Sequence, residues 1–349
     1  MSQTNAKTER VYLWDNVKAL LIFLVVFGHA ILPFRLRSDF IGGAYIWLNT
    51  FHMPLFIFVT GLFSKRTVNA EKLNHTKIIS YIMIFYFMKI TVSLCYFLAS
   101  GNFVFYFLSE SGTPWYIFVT AMYLVITHLL KNLNPKKVFT VILILSLAAG
   151  YCKDIGATLM LSRMIAFYPL FYLGYLTDSD KLIKELRRPP VRVISLLFFI
   201  VFTFLAFYRG RDFYNLLNPL FTNAGGYIYL PADFRAFGPL LRMGTYLFSA
   251  AVSASLIAII PAKKIPLISY IGQNTLPVYA LHRQLIYFYQ FSPLPALLLT
   301  MRGSVIFAII FAASAVLTIL LATKPFRYIL YPFTDYTKWS KKLLKWFKK

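Results

Sequence analysis

The chain has 349 residues, 59% hydrophobic and 14% charged, with a mean hydropathy of +0.65. A soluble domain carries about 45–50% apolar and about 25% charged residues, so water is excluded as the main solvent. The net charge of +24 does not point to nucleic acid either, because the basic residues sit in short clusters between apolar runs, as in loops at a membrane surface.

In chain order, ten segments near the length of about 20 residues that a bilayer requires read as membrane helices. They lie near 13–34, 43–64, 78–99, 114–131, 137–152, 159–177, 191–208, 239–261, 266–289 and 303–323. The fourth to sixth are short for a bilayer. The first contains Lys18 and His29 and has no small-residue cleavage site, so it reads as a retained span. The expected fold is all-α, one polytopic bundle of about ten transmembrane helices. Of the 36 lysines and arginines, 24 fall in the loops and termini on the side of the N-terminus and seven on the other, which places both chain ends in the cytoplasm. The bundle occupies residues 1–335. Residues 336–349 form a basic tail in which aromatic and apolar residues alternate with lysines. It serves as a topology anchor or as an amphipathic helix on anionic membrane lipids. The long outer segment 209–238 contains Asn218, Asn223, Gly225 and Gly226, a composition suited to a polar ligand or to a plain connector. There is no internal repeat of the kind that marks many transporters.

The informative residues are the ionisable ones at membrane depth, each costing about 2.5–3.5 kcal/mol on insertion scales. Lys18 and His29 are eleven positions apart on the first helix, within about 20° of the same face and about 16 Å apart in height. Asp15 and Lys18, at i and i+3, can pair. On the second helix Pro54 removes a backbone donor and disturbs the helix beside His52, so His52 is expected at a helix irregularity with a freed carbonyl for a neighbouring group. Arg163, Arg242, His282 and Arg283 fall in the same outer half as His29 and His52, so five helices bring polar groups to one level. Any one of them alone matches a snorkelling or packing residue; together they describe a polar chamber open to the outside.

Only Asp15 among the acidic residues lies within a span, so a carboxylate relay for proton-coupled transport and a carboxylate-pair glycosidase both lack their groups. Cys95 and Cys152 read as core residues, and no metal-ligand spacing or phosphate-cradling glycine loop is present, so no metal site is expected. Histidine remains as the leading acid/base candidate.

WDNVKALLIFLVVFGHA, FHMPLFIFVTG, SRMIAFYPLFYLGY and YIGQNTLPVYALHRQLIY, in that order along the chain, resemble the membrane acyltransferase 3 family, and within it the fucose 4-O-acetylase-like branch. The resemblance implies transfer of an acyl group, usually acetyl, from cytoplasmic acetyl-CoA to a sugar hydroxyl of a glycan or a lipid-linked sugar at the outer face. The setting would be a bacterial plasma membrane. By the resemblance His29 is the catalytic histidine and Lys18 its basic partner. Thr60 stands where many members carry serine. On this reading His52 neighbours His29 and Asp15 holds Lys18, while Lys18, Lys65 and Arg66 face the donor. Arg163, Arg242, His282, Arg283, Trp115 and Tyr116 face the acceptor or the oxyanion. Acetyl-CoA is a consumed donor, so no bound cofactor is expected. The sequence has no counterpart of the extracellular domain that some members append, which makes a separate extracellular transferase an expected partner. A glycan or solute transporter is the principal rival reading, and a sensory or scaffolding protein a weaker one.

Overall fold

The computed structural model describes residues 10–109, 113–152, 155–156 and 158–337. The tail expected at 336–349 falls almost wholly outside them. Among the described residues every regular element is helical, and the one extended pairing is an isolated bridge between Ser109 and Thr158. The first helices are α1 (Tyr12–Ile31), α2 (Asp39–Leu62), α3 (Lys65–Val68), α4 (His75–Ser100) and α5 (Trp115–Leu130). After them come α6 (Pro135–Ala148), α7 (Leu161–Leu176), α8 (Ser179–Leu186), α9 (Pro189–Arg209) and α10 (Tyr214–Thr222). The rest are α11 (Gly238–Ile259), α12 (Pro266–Gln273), α13 (Thr275–Gln290), α14 (Leu294–Leu299), α15 (Gly303–Leu321) and α16 (Lys324–Thr334).

Helices occupy all ten segments read from the sequence, but among the described residues six are long and apolar enough to cross a membrane on their own. These are Tyr12–Phe34, Asp39–Leu62, His75–Ser100, Pro189–Arg209, Ala232–Ile259 and Gly303–Leu321. The helices α5, α6, α7 and α13 have only 14 to 16 residues. For α5 and α7 the cause is visible. Lys89, buried about 21 Å up α4, donates from Nζ to the carbonyls of Phe107 (3.3 Å) and Ser109 (2.8 Å). The loop after α4 therefore folds back along that helix to the level of Lys89 with its side chains mostly exposed, and α5 starts at a buried position, Thr113 and Trp115 lying inside the bundle. Leu159 N donates to Leu108 O at 2.6 Å, which ties the segment before α7 to the same re-entrant loop. The segment expected at 266–289 is divided at Asn274 into α12 and α13.

An ammonium that satisfies two carbonyls has a measurable role. Lys89→Met keeps the chain length but leaves both carbonyls without that donor, at about 1–3 kcal/mol for each buried unsatisfied group. Limited proteolysis in detergent is expected to cut the loop faster in this variant. Equal cleavage rates would mean that the ammonium does not hold the loop.

Two contacts set the position of the helices that carry the site. The α2–α7 pair is the most intimate in the bundle. A Cβ on Gly61 would fall on the carbonyl of Phe171, and one on Gly174 on the carbonyl of Phe58, so the glycines let the two backbones touch reciprocally. α12 lies against the start of α1 in the same way, with Gly272 over the backbone of Asp15. Asn16, buried beside it, donates to the carbonyls of Pro261 (2.8 Å) and Lys263 (3.0 Å) and accepts from Ser269 Oγ (2.8 Å). The start of α1 is thereby locked by the 261–273 segment, which leaves its helical face free to line a cavity.

Pro54 behaves as the sequence suggests, with one difference. α2 runs through it unbroken, and the carbonyl of Thr50 four residues earlier, which loses its normal helical donor, accepts from Ser249 Oγ of α11 at 2.5 Å. Repair by a neighbouring helix keeps His52 on a regular helix.

Candidate functional site

Two cavities meet end to end inside the bundle, and α1 contributes to both. The vestibule, about 280 Å3, is lined by Lys18 of α1, Thr60 and Phe63 from the end of α2, Lys77 of α4, Tyr116 of α5 and Tyr279 of α13. The chamber, about 110 Å3, is lined by His29, Asn49, His52, Thr113, Arg163 and Thr222, again with Tyr116 and Tyr279. The same-face relation of Lys18 and His29 therefore has a physical meaning, since one stripe of α1 runs along both spaces. Two larger clefts, about 690 and about 620 Å3, have almost wholly apolar walls and lack convergent polar groups.

At the foot of the vestibule Lys18 Nζ lies 3.0 Å from Asp15 Oδ1. Asp15 is buried and also accepts from Arg10 Nε at 2.6 Å and from Gln273 Nε2 at 3.2 Å. Asp15 thus holds the lysine toward the base of α1, about 16 Å along the helix from His29. Lys77, which sequence reasoning missed, supplies a second ammonium and donates to Thr67 Oγ1 at 3.0 Å. Its position in the first turn of α4 resembles an ordinary loop lysine, so only the packing of α4 against α5 reveals it.

Two imidazoles near His29 have a defined polarity, His52 in the chamber wall and His282 behind it. His52 Nδ1 faces the carbonyl of Leu48 at 2.6 Å, and a carbonyl only accepts, so that nitrogen carries the proton and Nε2 holds the lone pair. His282 Nδ1 is fixed in the same way by the carbonyls of Val278 and Tyr279, both at 2.9 Å. Its Nε2 is buried and has no hydrogen-bond partner among the described residues. The ring of His282 lies 5.4 Å from that of His29 between centroids. His282, which the sequence grouped with substrate-binding residues, is therefore the imidazole in ring contact with His29, and His52 shares the cavity wall.

Other groups sort by position. The Arg163 guanidinium lies 4.8 Å from the Trp115 ring, which itself stacks on Phe167, and both Arg163 and Trp115 line the chamber. Thr113 closes another side, its hydroxyl buried without a partner among the described residues. No sequence pattern marks it, because it sits in the re-entrant loop. Asn49 donates to the carbonyl of Tyr45 at 2.8 Å and lines the cavity. From the long 209–238 segment, Phe221 and Thr222 of α10 reach the chamber, while Asn223 O accepts from Ser162 Oγ at 3.0 Å.

Four expected residues lie elsewhere. Arg242 is buried, donates to Ser146 O at 2.6 Å and covers the Tyr227 ring at 4.5 Å, so it braces α11 against α6. The Arg283 guanidinium lies 4.3 Å from the Tyr287 ring and is not among the chamber-lining groups. Lys65 donates to the carbonyl of Thr177 at 2.6 Å, completing the end of α7. Arg66 is exposed on α3 and outside the vestibule wall.

Helices long enough to cross a membrane, around a buried chamber of imidazole, guanidinium and hydroxyl groups, define a multi-pass membrane protein with a polar reaction-sized core. A family model described as an acyltransferase domain, that of acyltransferase 3, matches residues 11–324. The chain belongs to this membrane acyltransferase family over nearly its whole length. No curated protein and no solved structure matches it.

Proposed function

We propose that the protein is an O-acyltransferase of the fucose 4-O-acetylase-like branch, moving acetyl from cytoplasmic acetyl-CoA to a sugar hydroxyl of a glycan or lipid-linked sugar at the opposite face of a bacterial plasma membrane. In this reading the chain has ten membrane segments with cytoplasmic ends, and the vestibule faces the donor side. The observation that supports this best is the end-to-end pair of cavities along α1, lysines at one end and histidines at the other. Lys18 and Lys77 offer two ammonium groups to an anionic donor, and His29 lies where a hydroxyl can meet the acyl carbon.

In the transfer, the lone pair of His29 takes the hydroxyl proton as the oxygen attacks the thioester carbonyl. The new C–O bond forms, the C–S bond breaks, and the departing CoA thiolate recovers the proton. The Arg163 guanidinium and the Thr113 hydroxyl face the oxyanion that develops between these events. The His282 ring, 5.4 Å from that of His29 between centroids, packs against it and limits its rotation. A separate extracellular transferase completes the chain of transfer where the acceptor lies beyond reach of the bundle.

The direct test is incubation of purified protein with radiolabelled acetyl-CoA and a glycan acceptor, with label expected on the glycan. A folded protein that labels neither itself nor any glycan would refute the reading. Within the same assay Lys18→Met removes a charge-assisted contact worth about 1.5–3 kcal/mol, so the donor KM is expected to rise by roughly 10–100-fold while kcat changes little. An unchanged KM would place the donor elsewhere.

A further inference from the structure

The vestibule and the chamber share two side chains, Tyr116 and Tyr279, and these stand edge to face with ring centroids 5.3 Å apart. They form a wall across the line from Lys18 to His29. Each is pinned by a bond at its hydroxyl. Thr60 Oγ1 donates to the carbonyl of Phe56 at 2.8 Å, so its one proton is spent and the Tyr116 hydroxyl, 2.5 Å away, donates to it. The Tyr279 hydroxyl donates to the carbonyl of Thr113 in the re-entrant loop. Both tyrosines lie at the starts of short helices, Tyr116 at the second residue of α5 and Tyr279 at the fifth of α13. The buried start of α5 is what brings Tyr116 to the middle of the bundle.

We propose that Tyr116 and Tyr279 are the specificity-determining partition of the transferase: the donor's thioester arm enters the chamber by displacing the Tyr116 ring from Thr60, and the pair admits only a short acyl group. This rests on the acyltransfer reading above. The chamber beyond the partition, at about 110 Å3, is less than half the vestibule and well under the roughly 300–1,000 Å3 of pockets that enclose a whole small ligand. It must receive both an acyl carbonyl and a sugar hydroxyl, which leaves no space for a long tail. A longer acyl chain has to be accommodated where the two rings stand. Tyr116 is the moving member because its hydroxyl is held by side chains, Thr60 at 2.5 Å, whereas Tyr279 is tied to backbone and its ring lies 6.2 Å from that of His282 between centroids.

Two measurements test this, one without reference to catalysis. In protein with Cys95 and Cys152 replaced by serine, a single cysteine at Asn49, which lines the chamber and not the vestibule, is labelled with an impermeant maleimide. The reagent is applied to the Lys18 side of inside-out vesicles with the opposite compartment quenched by glutathione. Tyr279→Ala or Tyr116→Ala is expected to speed labelling at least about tenfold, and Tyr116→Phe, which removes only the bond to Thr60, to speed it less. Equal rates in all proteins overturn the partition whatever the transferase activity. In parallel, the ratio of butyryl to acetyl transfer is expected to rise at least about tenfold in Tyr279→Ala, the discrimination one or two methylenes can carry, and to stay unchanged in Tyr116→Phe. An unchanged ratio in the alanine variants overturns the length limit. Faster labelling with no transfer from either donor supports the partition and overturns the acyltransfer reading on which its cargo depends.

Discussion

His29→Ala is expected to lower acyl transfer by about 10²–10⁴-fold, the contribution of a positioned general base, with little change in donor KM. The ring occupies the chamber wall, and the described hydrogen bond at this residue is made by its backbone carbonyl, which accepts from Gln290 Nε2 at 3.3 Å. Alanine keeps that carbonyl, so the helix and its packing against α13 persist and the loss belongs to chemistry. The check is initial-rate transfer from acetyl-CoA by variant protein that elutes from size exclusion as the wild type does. Retained activity within a few-fold would remove His29 from the reaction and leave His52 or His282 as the base. If the donor KM rises instead with kcat preserved, His29 binds and does not catalyse.

The second large effect falls on folding. Gly61→Val, or Gly174→Val, places side-chain carbon on a backbone carbonyl of the partner helix, and neither backbone can yield without parting α2 from α7. Overpacking in a core costs about 1–3 kcal/mol when side chains can shift, and here the obstructing atoms are main chain, so the cost exceeds that range. The expected result is loss of monodisperse protein after extraction, read by fluorescence-detected size exclusion. Gly244→Ala is the matched control, because a Cβ there meets nothing within 4 Å. Normal yield and elution of Gly61→Val would show that the close α2–α7 approach is dispensable.

The α2–α7 contact matters to the site because α2 carries His52 and Asn49 and α7 carries Arg163, three of the groups that converge on the chamber. The glycines were present in the sequence as FVTGLF and FYLGYL, yet small residues are common in membrane helices and nothing local says which pair will meet. The same holds for YIGQNT. Its glycine and glutamine prove to clasp Asp15 at the base of α1, and its asparagine ends α12, so a segment read as the middle of one span is a lock and a break.

Helix positions were legible because a bilayer demands continuous apolar runs, and the Lys18 to His29 stripe was legible because helical periodicity is fixed by backbone geometry. Periodicity also anticipated the pairing of Asp15 with Lys18, and the missing donor at Pro54 anticipated that a neighbouring helix would serve the Thr50 carbonyl. Local rules suffice for such features, since each follows from the backbone geometry of a single helix.

Depth, partnership and occupancy were decided by the tertiary structure alone. Lys89, by holding the loop after α4 back along that helix, brings Thr113, Trp115 and Tyr116 to the level of the histidines. Lys65, Arg66, Arg242 and Arg283 had the right charge and roughly the right depth, and three of them are engaged by a carbonyl or a ring outside the two cavities, with Arg66 exposed. The sequence by itself determined a helical membrane chain with a cation and an imidazole on one face of its first helix. Which imidazole meets His29, and which two tyrosines divide the space between the lysine and the histidine, depended on contacts between residues more than a hundred positions apart. Composition and periodicity carry no information about such contacts, because they arise only when the helices have packed.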